Sequence, residues 1–255
     1  MPEIYFIIMF FIFGCVMGSF YHVVATRISN EESIITPPSH CNNCNHKLSW
    51  YENIPIISFL IQKGKCRNCG AKIPFSCLVS EIVTGVLFAV CFHCFKLTPK
   101  LVISLIFISA LITVIISDIE YMIILDEVLI FSSLLIVVLD IIFFGLEQAA
   151  YNIYAGVGAF ASMYAIKILG DKMFKKESLG GGDIKLMFLF GLVIGYPLAI
   201  CTIFLATFIA FPIAIIIYFT DKENIIPFGP FLSMAAILIL ISKINFTDIL
   251  NFLVK

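Results

Sequence analysis

Long apolar runs fill most of this 255-residue chain and constrain its fold more than any other feature. Five runs are long enough to cross roughly 30 Å of hydrocarbon. They lie at about 4–25, 77–96, 100–117, 127–146 and 149–169. The stretch 183–219 is too long for one helix and is divided at Gly195-Tyr196-Pro197, and a last run begins near Pro230. Lipid cannot satisfy bare backbone groups, and the runs lack the alternation of barrel strands. We therefore predict an all-α polytopic membrane protein with about eight transmembrane helices.

The composition agrees with lipid as the solvent. Hydrophobic residues make up 61% of the chain and charged residues 13%, which is far from the mix of an ordinary soluble domain. The first run continues to residue 25 without a small-residue cleavage site, so we expect it to be retained as a span. The net charge of -1 gives no indication of a nucleic-acid partner. We predict three segments: a first transmembrane helix at 1–26, a polar loop domain at 27–76 and a transmembrane domain at 77–255.

Basic residues predict the orientation. With the polar loop inside the cell, twelve of the 16 Lys and Arg residues lie on the inner side and four on the outer side, as the positive-inside rule favours. The inner set is Arg27, Lys47, Lys63, Lys65, Arg67, Lys72, Lys167, Lys172, Lys175, Lys176, Lys185 and Lys222, and the outer set is Lys96, Lys100, Lys243 and Lys255. We expect the N-terminus outside and the loop on the cytoplasmic face of the cell (inner) membrane.

Two Cys-x-x-Cys pairs mark the polar loop. Cys41 and Cys44 form the first pair, Cys66 and Cys69 form the second, and 21 residues separate them. Their surroundings, CNNCNHKL and CRNCGAKI, repeat the pattern Cys-x-Asn-Cys-x-x-Lys-aliphatic. Four thiolates at this spacing suit tetrahedral Zn²⁺, and a loop of about fifty residues needs such a staple because it cannot bury much core. We predict a structural zinc site. The alternative is two disulfides or idle thiols, and a reducing cytoplasmic face disfavours disulfides.

Residues around the pairs extend this interpretation. Asn45 and Gly70, directly after the two pairs, tolerate the left-handed backbone that a tight turn needs. The other cysteines, including the Cys-x-x-Cys at 91–94, lie in or beside apolar runs. We interpret them as packing residues.

Acidic residues at the edges of apolar runs are the second chemical signal, because charges are costly there. Asp118 ends the third run, and Asp183 opens the sixth directly after Gly180, Gly181 and Gly182. Two complete crossings separate the aspartates, so both lie on the same face of the membrane. Two carboxylates in a partly dry site cannot comfortably both ionise. One can then act as a base toward water and the other as an acid, which is the chemistry of an aspartic protease. The glycines would let the backbone approach a substrate strand or the partner helix closely.

Structural roles for these acids stay open. Asp183 could cap the sixth helix by binding its first free amides. Asp126 and Glu127 lie where the first turn of a helix favours acids. We interpret Glu120 as a solvated linker charge and Asp140 as a packing or interfacial residue toward the opposite face.

Six motifs occur in the order found in type IV prepilin peptidases, and the chain resembles that family over nearly its whole length. They are GSF at 18–20, WYENIPIISFL at 50–60 between the cysteine pairs, SEIVTG at 80–85, SDIEYMIILDE at 117–127, GGGDIKLM at 180–187 and PFGPFL at 227–232. The glycine-x-glycine-aspartate signature is short, and the five other motifs make the resemblance specific. The chain departs from the usual family pattern at Leu125, where proline is usual, and at His22, where asparagine is usual.

The resemblance implies an aspartic endopeptidase that clips the short basic leader of type IV prepilins or pseudopilins at the cytoplasmic membrane face, after a glycine. It also implies, for many members, methylation of the new N-terminal amine from S-adenosylmethionine. It maps the catalytic aspartates to Asp118 and Asp183 and the zinc-binding cysteines to the two loop pairs. It makes Glu52 the first residue to test for methyl transfer.

Three alternatives remain at this stage. One is a peptidase without methyltransferase activity. Another is a proton-coupled transporter, in which edge acids relay protons and the glycine run is a hinge. The last is a membrane-anchored zinc module that recruits partners.

Overall fold

The computed structural model describes residues 2–175, 179–220 and 226–248, which form helices joined by linkers and one long loop. The helices are α1 (Pro2–Ser29), a 3₁₀ turn (Trp50–Asn53), α2 (Ile57–Ile61), α3 (Phe75–Phe95), α4 (Pro99–Tyr121), α5 (Asp126–Phe144), α6 (Leu146–Phe174), α7 (Gly181–Ile194), α8 (Tyr196–Thr220) and α9 (Gly229–Ser242). Within these residues, β structure is limited to two isolated bridges in the loop. The prediction of an all-α protein is confirmed. Of the basic residues used to predict orientation, Lys176, Lys222 and Lys255 lie outside the described residues.

Each of the eight apolar runs forms a helix of its own. The division of the stretch 183–219 is confirmed at Gly195, which ends α7 with a φ of 82°. In the described part of the chain, α1, α3, α4, α5, α6 and α8 are long and apolar enough to cross a membrane. α7 and α9 have 14 residues each, which corresponds to about 21 Å. The architecture is that of a polytopic helical membrane protein.

The chain divides into two compact units, Met1–Leu101 and Val102–Lys255. In the first unit, α1 and α3 pack as an antiparallel pair, and the Phe10 ring stacks on the Phe92 ring with centroids 4.9 Å apart. A Cβ on Gly14 or Gly18 would lie 2.7 Å from a backbone oxygen of α3. Small residues therefore let the two helix backbones touch, as at many membrane helix interfaces.

The long loop belongs to the same compact unit as α1 and α3. This follows because the two helices on either side of the loop pack on each other. The finer division of the chain at residues 26 and 76 stays a prediction.

α7 is the centre of the second unit. It contacts α5, α6, α8 and α9, and its Leu186, Met187 and Leu189 side chains are fully buried. A Cβ on Gly191 would lie 2.5 Å from the Ala155 carbonyl oxygen of α6. A short helix held on several sides fixes the position of its own N-terminus, where Asp183 lies.

Candidate active site and metal centre

The four loop cysteines come together in the first unit. Their sulfur atoms all lie within 4.8 Å of one another. Cys41 Sγ is 3.8 Å from Cys69 Sγ, and Cys44 Sγ is 4.0 Å from Cys66 Sγ. A tetrahedral site with metal–sulfur bonds of about 2.3 Å has sulfur–sulfur edges of about 3.8 Å. The cluster could therefore hold a metal ion.

Each cysteine pair lies on a tight turn of the same design. The Asn45 N–H donates to the Cys41 carbonyl at 2.8 Å, and the Gly70 N–H donates to the Cys66 carbonyl at 2.9 Å. Asn45 has a φ of 53° and Gly70 a φ of 72°. The expected left-handed backbone is confirmed at both positions.

The asparagine shared by the two pairs links each pair to the other. Asn43 of the first pair donates to Cys69 Sγ, and Asn68 of the second pair donates to Cys44 Sγ, both at 3.6 Å. The Ala71 backbone N–H and the Asn43 amide lower the pKa of Cys69 to about 6. A lowered thiol pKa favours the thiolate that binds metal.

Asp118 and Asp183 come together in the second unit. Asp118 lies in the last turn of α4 and Asp183 in the first turn of α7. Each has only 6% of its surface exposed, and the two carboxylates lie within electrostatic range of one another. The structure thus places in one site the two acids that the sequence analysis paired.

Two glycines and one isoleucine shape this site. The Gly229 N–H donates to the Asp118 carboxylate, and a Cβ on Gly229 would lie 2.5 Å from Asp118 Oδ2. Ile124, in the linker after α4, packs against Gly229 and against Gly182, where a Cβ would lie 2.6 Å from the Ile124 Cβ. The site has no room for a side chain at either glycine.

Asp183 is the third residue of α7 and not its N-cap. The helix begins at Gly181, Gly180 is the N-cap, and the Gly180 N–H donates to the Asp183 carboxylate. Asp183 Oδ1 is buried and has no hydrogen-bond partner within residues 2–175, 179–220 and 226–248. The Asp183 carboxylate therefore binds a free N–H at the N-terminus of α7, as the capping interpretation expects. Its Oδ1 atom is left free to act on a bound group.

The remaining acids have local partners or face outward. Asp126 lies in the first turn of α5, as expected, and pairs with Lys185 Nζ at 2.6 Å. Asp140 is buried and accepts a hydrogen bond from Asn152 Nδ2 at 2.9 Å, which fits the packing role. Glu120 is exposed.

Sequence comparisons match nearly the whole chain. The model of the Bacterial Peptidase A24 N-terminal domain matches residues 12–95, and that of the Type IV leader peptidase family matches residues 105–215. The prepilin leader peptidase/N-methyltransferase of Bacillus subtilis (strain 168) is 37% identical over 237 residues, which cover 89% of this chain and 91% of that protein. The chain belongs to the type IV leader peptidase family.

Two further relatives carry the same name. The one from Myxococcus xanthus (strain DK1622) is 34% identical over 189 residues, 73% of this chain and 55% of that protein. The one from Vibrio cholerae is 28% identical over 221 residues, 82% of this chain and 85% of that protein. No solved structure matches the chain.

Three motifs of this leader peptidase family member meet at the two aspartates. SDIEYMIILDE supplies Asp118 and Ile124, GGGDIKLM supplies Gly182 and Asp183, and PFGPFL supplies Gly229. The order of the motifs along the chain does not show that they meet. Ile124 links them in the structure, but an apolar residue in an apolar chain gives no sign of a functional site.

The three other motifs meet at Glu81, a buried acid that the sequence analysis missed. Glu81 Oε2 accepts the Ile56 N–H at 2.7 Å, and the Ser19 side chain hydrogen-bonds the same carboxylate. Ile56 has φ 63° and ψ -53°, and the Ile57 N–H donates to the Pro55 carbonyl at 2.6 Å. This is the rarer, strained form of the γ-turn. The sequence did contain a signal that could have identified Glu81, because a glutamate inside an apolar run is costly and therefore indicates a specific role.

Glu52, the residue singled out for methyl transfer, has local partners. Its Oε2 accepts the Ser49 N–H at 2.8 Å and lies 3.4 Å from His46 Nε2. The Ser49 N–H, followed by His46, holds the pKa of Glu52 below its usual range. Its carboxylate caps the N-terminus of the 3₁₀ turn. The role of Glu52 in methyl transfer stays a prediction.

We expect Glu81→Ala to loosen the loop around Ile56, because the Ile56 N–H loses its acceptor. The free energy of unfolding should fall by about 1–3 kcal/mol, and proteolysis within residues 49–61 should become faster. Glu81→Gln keeps an acceptor and should show a smaller effect. Thermal unfolding in detergent and limited proteolysis measure both. Val86→Ala, at an exposed position of the same helix, is the control, and equal behaviour of Glu81→Ala and Val86→Ala would contradict the assignment.

Proposed function

We propose that this chain is a membrane-embedded aspartic endopeptidase that removes the short basic leader of type IV prepilins or pseudopilins and then N-methylates the new N-terminal residue. The observation that carries the proposal is the meeting of Asp118 and Asp183, two buried acids from distant parts of the chain. It occurs in a chain whose relatives are named prepilin leader peptidase/N-methyltransferase. Family membership favours this function over a transporter or an anchored zinc module.

The two aspartates would hydrolyse the peptide bond with a water molecule. One carboxylate accepts a proton from the water while the protonated partner donates a proton to the carbonyl oxygen. The water oxygen bonds to the carbonyl carbon, and the carbon–nitrogen bond breaks as the leaving amine takes up a proton. Asp183 Oδ1, which has no hydrogen-bond partner among the described residues, is suited to hold the water. The Gly229 N–H orients Asp118.

The glycine run would receive the substrate strand beside the aspartates. A Cβ on Gly181 would meet no atom of the described residues within 4 Å, so the described part of the chain leaves space next to the start of α7. Gly180, on one side of it, donates to the Asp183 carboxylate, and Gly182, on the other side, packs against Ile124. The strand could thus approach the backbone closely.

We place this site and the loop at the cytoplasmic face of the cell membrane, with the N-terminus outside, from the distribution of Lys and Arg. The substrate's apolar helix would lie beside the bundle, with its basic leader in the cytoplasm. Glu120 and Glu127 are exposed and would attract that leader, although salt screens much of the effect. Asp126 contributes less because Lys185 pairs with it.

The methyl group would come from S-adenosylmethionine, which supplies an electrophilic methyl to the free amine. We assign no residue to hold this cofactor. Glu52, the candidate from the sequence, has its carboxylate engaged by Ser49 and His46.

We propose that the cysteine cluster holds a structural Zn²⁺. All four ligand positions are sulfur atoms at tetrahedral spacing, so no position stays open for a catalytic water. The loop would then depend on the metal for its fold.

Replacing either aspartate with asparagine should stop cleavage, because the amide cannot exchange the proton. We expect Asp118→Asn and Asp183→Asn each to slow leader removal by about 10²–10⁴-fold, with membrane insertion intact. The assay incubates the purified chain with a prepilin and follows the shortened product, and mass spectrometry of its N-terminus reports methylation. Asp140→Asn, another buried acid of the same unit, should cleave normally. Substantial cleavage by either dyad variant would reject the mechanism.

Gly229→Ala should damage the site without unfolding the protein. Its Cβ would lie 2.5 Å from Asp118 Oδ2, so the carboxylate must move, and a displacement of about 1 Å can cost about 100-fold in rate. Ser233→Ala on the same helix removes a buried hydroxyl that has no hydrogen-bond partner in the described part of the chain, and it should keep the parent rate. Equal rates for the two variants would show that Gly229 does not position Asp118.

The purified chain should contain about one zinc ion, and Cys44→Ser should lose most of it because a tetrahedral site needs all four ligands. Cys201→Ser, at a cysteine of α8 outside the cluster, should keep the metal. Elemental analysis of both variants gives the answer. Unchanged zinc in Cys44→Ser would mean that the ion binds elsewhere.

A further inference from the structure

α2 presents an apolar face to the outside of the protein. Ile57, Leu60 and Ile61 lie at positions i, i+3 and i+4, so they share one side of the helix. Their exposed fractions are 54%, 63% and 76%. Trp50, which is 80% exposed, lies in the 3₁₀ turn that contacts α2. Contiguous exposed apolar side chains in an otherwise polar loop indicate a surface that contacts another apolar phase or molecule.

α2 lies at the end of a membrane-spanning helix. The Ile56 N–H binds Glu81 at 2.7 Å, and the Phe59 ring meets the Phe75 ring edge-on with centroids 6.4 Å apart. Phe75 is the first residue of the span Phe75–Phe95, and Glu81 is in its second turn. α2 is therefore beside the first two turns of α3, where hydrocarbon gives way to headgroups. Phe75 and Val79 of α3 are also exposed and continue the apolar surface.

The residues that follow α2 are basic. Lys63, Lys65, Arg67 and Lys72 are all exposed, and no Asp or Glu occurs at 53–80. An apolar helix face next to an excess of positive charge is the pattern of a helix that lies on an acidic lipid surface. The positive charge also disfavours the competing occupant, a prepilin with a basic leader.

We infer that α2 lies in the headgroup layer of the bilayer that the chain spans. Ile57, Leu60 and Ile61 contact the upper acyl region, and Lys63 and Lys65 contact the headgroups of acidic phospholipids. The loop that carries the cysteine cluster is thereby held against the membrane. This inference does not depend on the proposed enzymatic activity.

The test uses the full chain in vesicles of phosphatidylcholine and phosphatidylglycerol, with tryptophan fluorescence as the readout. The chain has a single tryptophan, Trp50, so a Trp50→Phe, Leu60→Trp variant places the only tryptophan on α2. A Trp50→Phe, Asn42→Trp variant places it on the polar turn of the first cysteine pair and is the matched control. Unchanged helicity shows that each variant folds, and the unmodified chain with Trp50 gives a second, native reporter beside α2.

Phosphatidylcholine brominated near the headgroup end of its acyl chains should reduce Leu60→Trp emission by about twofold, since interfacial helices lie at that depth. It should leave Asn42→Trp nearly unchanged, while aqueous acrylamide should do the reverse. Trp50 in the unmodified chain should also be quenched by the brominated lipid. Adding Lys63→Glu and Lys65→Glu to the Leu60→Trp variant should remove the extra quenching gained with phosphatidylglycerol.

Four results would each overturn the inference or a part of it. Leu60→Trp quenched by acrylamide but not by brominated lipid would put α2 in water. Equal lipid quenching of Leu60→Trp and Asn42→Trp would show that no particular face meets the bilayer. Protection of Leu60→Trp that arises only when a prepilin is added would assign the face to the substrate. Quenching of Leu60→Trp that does not increase with phosphatidylglycerol would show that Lys63 and Lys65 do not contact acidic headgroups.

Discussion

Carboxylates buried among apolar helices are the constraint around which this structure is organised, because a charge in that environment needs a partner. Asp118 and Asp183 lie at helix ends, where the N–H of Gly229 or Gly180 reaches them. Glu81 lies inside α3 and accepts the N–H of Ile56 from the loop. Each acid is bound to an amide that no helical carbonyl uses. For these three acids, free backbone amides decide where the carboxylate can lie, whereas the buried Asp140 is bound by the side-chain amide of Asn152.

The division of the chain into two units follows the same acids. The second unit contains both aspartates and the three motifs that surround them, and the first contains Glu81 with the other three motifs. The two family matches, at 12–95 and 105–215, fall one in each unit. The components of the proposed hydrolysis thus belong to the second unit alone, and those of the metal centre belong to the first.

Much of this arrangement is predictable from the sequence, for physical reasons. Lipid leaves an apolar segment few options besides a helix, so each of the eight runs was correctly predicted to form a helix. The cysteine pairs were recognisable because their spacing is local. Counting crossings predicts that Asp118 and Asp183 lie on the same face of the membrane. The prediction that they meet came from the chemistry of paired acids and from the family resemblance. Two sets of contacts were not predictable: those of Ile124 with Gly182 and Gly229, and that of Glu81 with Ile56. They depend on packing between distant segments, which produces no periodic pattern in the sequence.

The crossed asparagines of the cysteine cluster have an evolutionary consequence. Asn43 steadies a sulfur of the second turn and Asn68 a sulfur of the first, so neither half of the repeat is complete without its counterpart. A lineage that loses one turn has no physical reason to preserve its twin. We therefore expect related proteins either to keep both turns or to lose both, so that the loop evolves as a single unit.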